Sequence, residues 1–426
     1  MSSLIRPNLI TKIILCSFII FSVNNVPAQN RANIWEIGYQ PYVPNVYFDF
    51  NHGSIEVNSI DRKLLVELTN ASICDTTGNI LFYTNGQWIA NSIGDSIANG
   101  KKFNPGYLTD FYTSGGLLIS QAAIAISDPG NSNRYYLFYE KGEKFENIEF
   151  GYTDYQPFHL SYSLIDITKD NGLGAIVNGY KNVYAIEDTL MLGMITACKH
   201  ANGRDWWIVV RRYDSDEFYT VLVSPSGVSA PQMQKIGPVI KPFDEITPGE
   251  VVDVDVNDEA QFSPDGNHYA FIVSTFLVHL LDFDRCNGLF TNYRYDSIPL
   301  ADRGGNATIG CAFSSNSKFL YADSYRRLYQ YDITQKDFTV TRSTVGIYDD
   351  KLDKPVTIYF AFQQLAPDNK IYMTPFGGSN FYDVINNPNL PDSACNFDQH
   401  GLALPTYTSS SNLFKRLLSH QSQSCS

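Results

Sequence analysis

Five aromatic side chains fall where core strands are not expected: Tyr107, Phe111 and Tyr112 in one long polar stretch, Tyr152 and Tyr155 in another. Their neighbours are rich in Gly, Asn, Asp and Pro, the composition of loops, and long loops on a rigid scaffold are where binding usually resides. Flat aromatic faces offer stacking area to sugar rings or peptide side chains, so these five are candidate ligand-binding residues. The competing reading is that such rings, Phe103 among them, fold down over the edges of the strands beneath. A third stretch carries Asp253, Asp255 and Asp258. Several carboxylates converging on a turn make a calcium site, so these three are candidate metal ligands. The alternation of Val and Asp from Val252 to Val256 equally suits a half-buried strand edge, and the spacing departs from an EF-hand loop.

No catalytic constellation stands out. Tyr112-Thr113-Ser114-Gly115-Gly116 only approaches the G-x-S-x-G nucleophile elbow. The seven histidines are scattered without metal-ligand spacing, and His200 and His268 sit beside turns, where bonding to the turn is the expected role. Asp and Glu are plentiful, yet nothing in their spacing selects a pair. No residue is therefore assigned a catalytic role.

The elements that must hold these loops are repeated. A polar turn followed by an aromatic and β-branched strand occurs six times. It reads CDTTGN before ILFYT, SDPGN before RYYLFY, KHANG before DWWIVV and FSPDG before HYAFIV; FSSNS before KFLYA and LAPDN before KIYMT complete the set. Copies recur at roughly 50 to 75 residues, the interval of propellers and related arrays. Each copy divides into four short strands; in the fifth they are GCAFS, FLYAD, LYQYDIT and FTVTRS. The predicted class is all-β, a β-propeller of four-stranded antiparallel blades. Six copies are explicit, and NIWEIG with VYFDF at the start supplies a seventh, so seven blades are expected, with six as the alternative. The strands of residues 34–50 are expected to close the ring by pairing with its C-terminal part. In such a ring the three long stretches open on one face. The Asp/Asn/Gly turns read as structural: in Ser263-Pro264-Asp265-Gly266, Pro presets φ, Asp bonds its own backbone and Gly takes positive φ.

Residues 1–28 read as an export signal: Arg6 and Lys12, then IILCSFIIFSV, then a small residue at Ala28 before the expected cut. Residues 29–408 form the propeller domain and 409–426 a tail. The apolar run is short for a bilayer span, so no membrane span is expected after cleavage. Localisation outside the cytoplasm follows, secreted or at the cell surface, with the periplasm as the alternative. The net charge of −13 becomes more negative once Arg6 and Lys12 leave. Such a chain, without a basic cluster, repels phosphate backbones, and nucleic acid is excluded as a partner. Six cysteines follow the signal. Cys74 and Cys395 fall in the first and last copies, neighbours in a closed ring, and are the pair considered for a bridge; two free buried thiols are the alternative.

NIWEIG, ICDTTGNILFYTNG, ITACKHANGRDWWIVV, the FSPDG turn and VINNPNLPDSACNF together resemble secreted β-propellers of Bacteroidetes, found in gliding-motility-associated cell-surface proteins exported by type IX secretion. The resemblance runs from about residue 33 to about residue 405. It implies a WD40-like propeller at the cell surface and brings no defined activity. The expected function is a monomeric, non-enzymatic binding or scaffolding module that takes a glycan or protein ligand at the bacterial envelope. The alternative is a propeller hydrolase or lyase acting on polysaccharide. Three carboxylates converging at the channel mouth, one strongly perturbed, would favour it.

Overall fold

A computed structural model describes residues 30–38, 45–111, 115–147, 152–240, 243–247, 250–253, 259–273, 276–302, 310–349, 359–376, 378–408 and 425. Seven small antiparallel sheets form a seven-bladed β-propeller. Blade 1 is Ile34–Ile37, Asn45–Asp49 and Glu56–Ile60; blade 2 is Ala71–Cys74, Ile80–Thr84 and Ile89–Asn91. Blade 3 begins with Ala123–Ser127, Arg134–Tyr139 and His159–Asp166, the last pairing with both Ala175–Ile176 and Val183–Glu187. Blade 4 begins with Thr196–Lys199, Trp206–Arg211 and Ser215–Ser224, and Gly227–Val228 and Gln232–Ile240 both pair with the third strand. Blades 5, 6 and 7 have the expected four strands: Glu259–Phe262 to Leu289–Ser297, Cys311–Phe313 to Ser343–Ile347, and Tyr359–Leu365 to Phe397–Thr408. In blade 6 the fourth strand is Ser343–Ile347 rather than FTVTRS; Thr339–Thr341 instead makes one 3-10 turn. First strands of most successive blades touch one another, so they line the axis.

Both faces of each blade are buried, and the alternation of side chains divides them. In blade 4, Trp206, Ile208 and Val210 pack against Tyr136 and Phe138 of blade 3. Trp207 and Val209 point the other way, into Phe262, Phe271 and Phe283 of blade 5. A strand reading DWWIVV is apolar at every position because neither face meets water. The repeated turns carry their predicted roles. Asp75 Oδ1 accepts from the Thr77 and Asn79 N–H groups at 2.8 and 3.0 Å. Ser263 Oγ donates to Asp265 Oδ1 at 2.5 Å, and Asp265 Oδ1 accepts from Asn267 N at 3.1 Å. Gly78, Gly203 and Gly266 have φ of 92°, 74° and 73°, and in the last two copies Ser317 and Asn369 take the same left-handed position at 59° and 65°.

The ring closes differently from the expectation. Residues 34–50 do not pair into the C-terminal blade but belong to blade 1, which packs face to face on blade 7. Trp35 meets Tyr372 edge-on at 6.4 Å and Phe48 meets Tyr382 edge-on at 5.6 Å. Because the N-terminal segment has three strands of its own, it can pair internally and has no need of a borrowed partner. The bridge between Cys74 and Cys395 is not made: both are buried free thiols, and Cys286 pairs with Cys425 instead. Blade 1 stands between blade 2, which carries Cys74, and blade 7, and Cys395 lies in a turn between the outer strands of blade 7.

Candidate functional site

The long stretches do open on one face. Two of them meet blade 3, whose first strand starts at Ala123, paired with Tyr139 at the end of the second, so both lie at the same end of the sheet. The third leaves Ile240 and enters Glu259, which pairs with Ile272 at the corresponding end of blade 5.

The first stretch is tied down by amides. Asn182 donates through Nδ2 to the Lys102 carbonyl at 2.9 Å, and its Oδ1 accepts from Asn104 N at 3.0 Å. Lys181 Nζ donates to the carbonyls of Asn99 and Lys101 at 3.1 and 2.9 Å. So anchored, Tyr107–Phe111 forms a short helix against the hairpin Glu143–Asn147 with Tyr152–Gln156. Leu108 N donates to Gly142 O at 3.2 Å, and Tyr107 N donates to Glu143 Oε2 at 3.2 Å. Lys141 Nζ donates to Pro105 O at 2.8 Å and pairs with Glu143 at 2.7 Å. Gly142 is required by space: a Cβ there would lie 2.2 Å from Leu108 Cδ1. Leu108 is buried beneath with Leu117, Ile119 and Ala122, and Tyr155 packs against that cluster.

On this base the predicted rings come together. Tyr107 stacks on Tyr155 at 5.4 Å and 18°, and on Phe111 at 5.9 Å and 11°. Residues four apart on a helix share a face, which aligns Tyr107 with Phe111, and the hairpin delivers Tyr155. Phe111 is 62% exposed and Tyr107 37%, so the pile faces solvent. Phe103 follows the other reading: it is buried and packs on Tyr139 at 4.4 Å. Tyr112 and the side chain of Tyr152 lie outside the described residues, as do Asp255, Asp258 and the side chain of Asp253. The backbone of Asp253 ends the strand Glu250–Asp253, paired with Phe243 in a hairpin, in keeping with the strand reading of that stretch. Among the described residues no group of three His, Cys, Asp or Glu side chains is disposed to hold a metal ion.

A second polar centre lies on the axis, and the sequence reading did not single it out. Glu259 is buried. Its Oε1 accepts from Gln261 Nε2 at 2.9 Å and Gln121 Nε2 at 3.4 Å; its Oε2 accepts from Cys311 N at 2.9 Å and Gln363 N at 3.1 Å. Gln363 Nε2 continues to Asp323 Oδ2 at 3.0 Å, which also accepts from Gly310 N at 3.0 Å. Glu259 meets blades 6 and 7 and the entry to blade 3, which only an axial position permits. The available signal was Glu, Gln and Gln at Glu259, Gln261 and Gln363 in otherwise apolar inner strands. A carboxylate surrounded by four N–H donors is a structural tie; its lone pairs are already engaged. At the end of the second strand of blade 3, burial pushes the Glu140 carboxyl well above the usual range, and the Gly193 N–H donating to Oε2 at 2.8 Å opposes this. The histidines flagged beside turns are held there. His200 Nδ1 accepts from Asn202 N at 3.0 Å, and His268 Nδ1 lies 3.0 Å from Asp282.

No family model matches the sequence, and no curated protein matches it. Solved structures match the chain at low identity. A protein from Lactobacillus plantarum is 12% identical over 89% of this chain and 97% of its own, with a TM-score of 0.43. A functionally unknown protein from Desulfotomaculum acetoxidans is 11% identical over 91% and 99%, with a TM-score of 0.44. The periplasmic gluconolactonase of Pseudomonas aeruginosa is 11% identical over 88% and 83%, with a TM-score of 0.40.

Proposed function

We propose that this chain is an exported, non-enzymatic β-propeller that binds a glycan or protein ligand at the bacterial envelope through its loop face. The observation that carries the reading is the solvent-facing pile of Phe111, Tyr107 and Tyr155, fixed by backbone hydrogen bonds to a rigid blade. Stacked rings held in place lose little freedom when a ligand docks, so more of the contact energy appears as affinity. Export is supported by the signal-like start and by the Cys286–Cys425 bond, a linkage that persists in oxidising compartments. Binding rather than hydrolysis is supported at the axis, where the Glu259 lone pairs are spent on protein N–H groups. The test is a glycan and peptide array probed with the wild type and with a Tyr107→Ala, Phe111→Ala double variant. A ligand retained by the wild type and weakened roughly tenfold or more in the folded variant is expected, about 1–3 kcal/mol of stacking. Equal binding by both proteins would place the site elsewhere.

A further inference from the structure

Blade 3 carries a second pair of stacked rings. Tyr184, on the strand Val183–Glu187, lies nearly parallel to the His159 ring at 4.0 Å and 15°. It is 47% exposed, so with one face on His159 it turns the other to solvent. Ser161 pairs with Tyr139 on one side and with Tyr184 on the other, which puts both tyrosines on one face of the sheet. That face looks towards blade 2, since Tyr139 packs on Phe103 and clusters with Phe82.

From Phe103 the chain runs along this face to the first pile. Asn104 N donates to Asn182, Pro105 O accepts from Lys141 Nζ, and Tyr107 N donates to Glu143. The Lys141–Glu143 pair, closed at 2.7 Å, therefore lies between the two stacks: Glu143 touches the backbone of Tyr107, and the charges of both residues act on His159. Two ring platforms flank one internally neutralised pair.

We propose that the Tyr184–His159 stack is a second sugar subsite continuous with the Phe111–Tyr107–Tyr155 pile, and that the ligand of this surface is a neutral glycan chain long enough to cover both. The inference rests on the loop face being a binding surface, as proposed above, and adds its ligand class. Sugar rings present flat C–H faces that stack on aromatic rings, and hydroxyls that both donate and accept. Between the platforms Lys141 carries donors and Glu143 acceptors, a set that suits hydroxyls, and because their charges cancel the pair selects neither an anion nor a cation. Peptide anchors bury themselves in apolar pockets, whereas here two open platforms are parted by a charged pair.

The test compares the mature chain with the Tyr107→Ala, Phe111→Ala double variant, Tyr184→Ala and Tyr184→Phe, each checked for fold by circular dichroism. The probes are neutral α- and β-linked oligosaccharides of glucose, mannose, xylose, galactose and N-acetylglucosamine, with a peptide array alongside. Each sugar series is graded in length from two to about eight units, because a chain held at one subsite meets the second at high effective concentration. Wild-type affinity for at least one series is expected to rise roughly tenfold or more with length. Tyr184→Ala should lose that gain and keep the affinity for the shortest oligomer bound, while Tyr184→Phe, which preserves the ring, should keep both. Affinity independent of length, or a gain that survives Tyr184→Ala, would overturn the second subsite; equal loss in Tyr184→Ala and Tyr184→Phe would overturn its stacking role. Binding of peptides without any oligosaccharide, or of neither, would overturn the glycan assignment. Undiminished oligosaccharide binding by the Tyr107→Ala, Phe111→Ala variant would instead fault the pile on which the proposed function stands.

Discussion

The Glu259 carboxylate accepts the backbone N–H of Cys311 at 2.9 Å and that of Gln363 at 3.1 Å, so one side chain of blade 5 holds the inner strands of blades 6 and 7. Removing it leaves buried donors without acceptors, which is more damaging than losing an exposed pair. Glu259→Ala is expected to lower stability by roughly 3–5 kcal/mol, and Glu143→Ala, at the margin of the helix Tyr107–Phe111, by less than about 1 kcal/mol. Urea midpoints at one pH compare them. Equal shifts would show that the axial tie adds nothing.

His279 should make stability fall on acidification. The ring is fully buried, lies flat on Phe271 at 4.2 Å and shares a hydrogen bond of 2.8 Å between Nδ1 and Tyr293 Oη. Burial, then the Arg211 charge, hold it well below the ordinary histidine value. Above about pH 6.5 both folded and unfolded chains carry it neutral. Below that, the unfolded chain gains a proton that the folded one refuses, and stability drops by roughly 1.4 kcal/mol per pH unit from this residue. Chemical denaturation between pH 7.5 and 5.5 should show a steeper loss in the wild type than in His279→Gln. Parallel slopes would refute the assignment.

Asp383 acts in the opposite sense. Burial raises its carboxyl to about 7, while the His400 N–H donating to Oδ1 at 2.8 Å opposes this. A raised value in the folded state means a proton kept on folding. The associated stability is complete below the unfolded value near 3.9 and is lost as the pH climbs through about 7. Asp383→Asn keeps the acceptor for His400 and cannot ionise, so above pH 7 it should be more stable than the wild type by roughly 2–4 kcal/mol. Melting curves at pH 5 and 8 would check this; a variant less stable at both would contradict it.

Thiol chemistry separates the cysteines. Cys74, Cys198, Cys311 and Cys395 are buried, and burial pushes the Cys74 thiol up to about 12. The folded, oxidised protein should therefore react slowly with a thiol reagent, and mild reduction should release Cys286 and Cys425 for rapid labelling. Mass mapping of the labelled peptides decides it, and prompt labelling of Cys74 without reductant would be the contrary result.

The strands of blades 4 and 5 and the first three of blade 6 were readable because their apolar residues lie between turns whose Asp, Asn and Gly each have a local task, as at Asp265 and Gly266. The aromatic pile was partly readable. Loop length marked Tyr107, Phe111 and Tyr155, but Phe103 has the same composition around it and packs inward on Tyr139. Only tertiary contacts separate them. Closure was misread because pairing within blade 1 and pairing across the seam predict the same strand pattern. The axial cluster went unnoticed because Gln121, Glu259 and Gln363 are far apart in the chain and meet only when the ring is complete.

The seam between blades 1 and 7 has a temporal meaning. Trp35 is made early and Tyr372 late, and their edge-on contact at 6.4 Å cannot form until nearly the whole chain has been synthesised. With no sheet shared across the seam among the described residues, joining the two blades is a docking of preformed surfaces, and contacts so distant in sequence form slowly. Trp35, fully buried there, is thus a natural reporter of the final step. In a refolding experiment on a Trp88→Phe, Trp206→Phe, Trp207→Phe background, its fluorescence change should trail the recovery of β-sheet circular dichroism, and Tyr372→Ala should lengthen that delay.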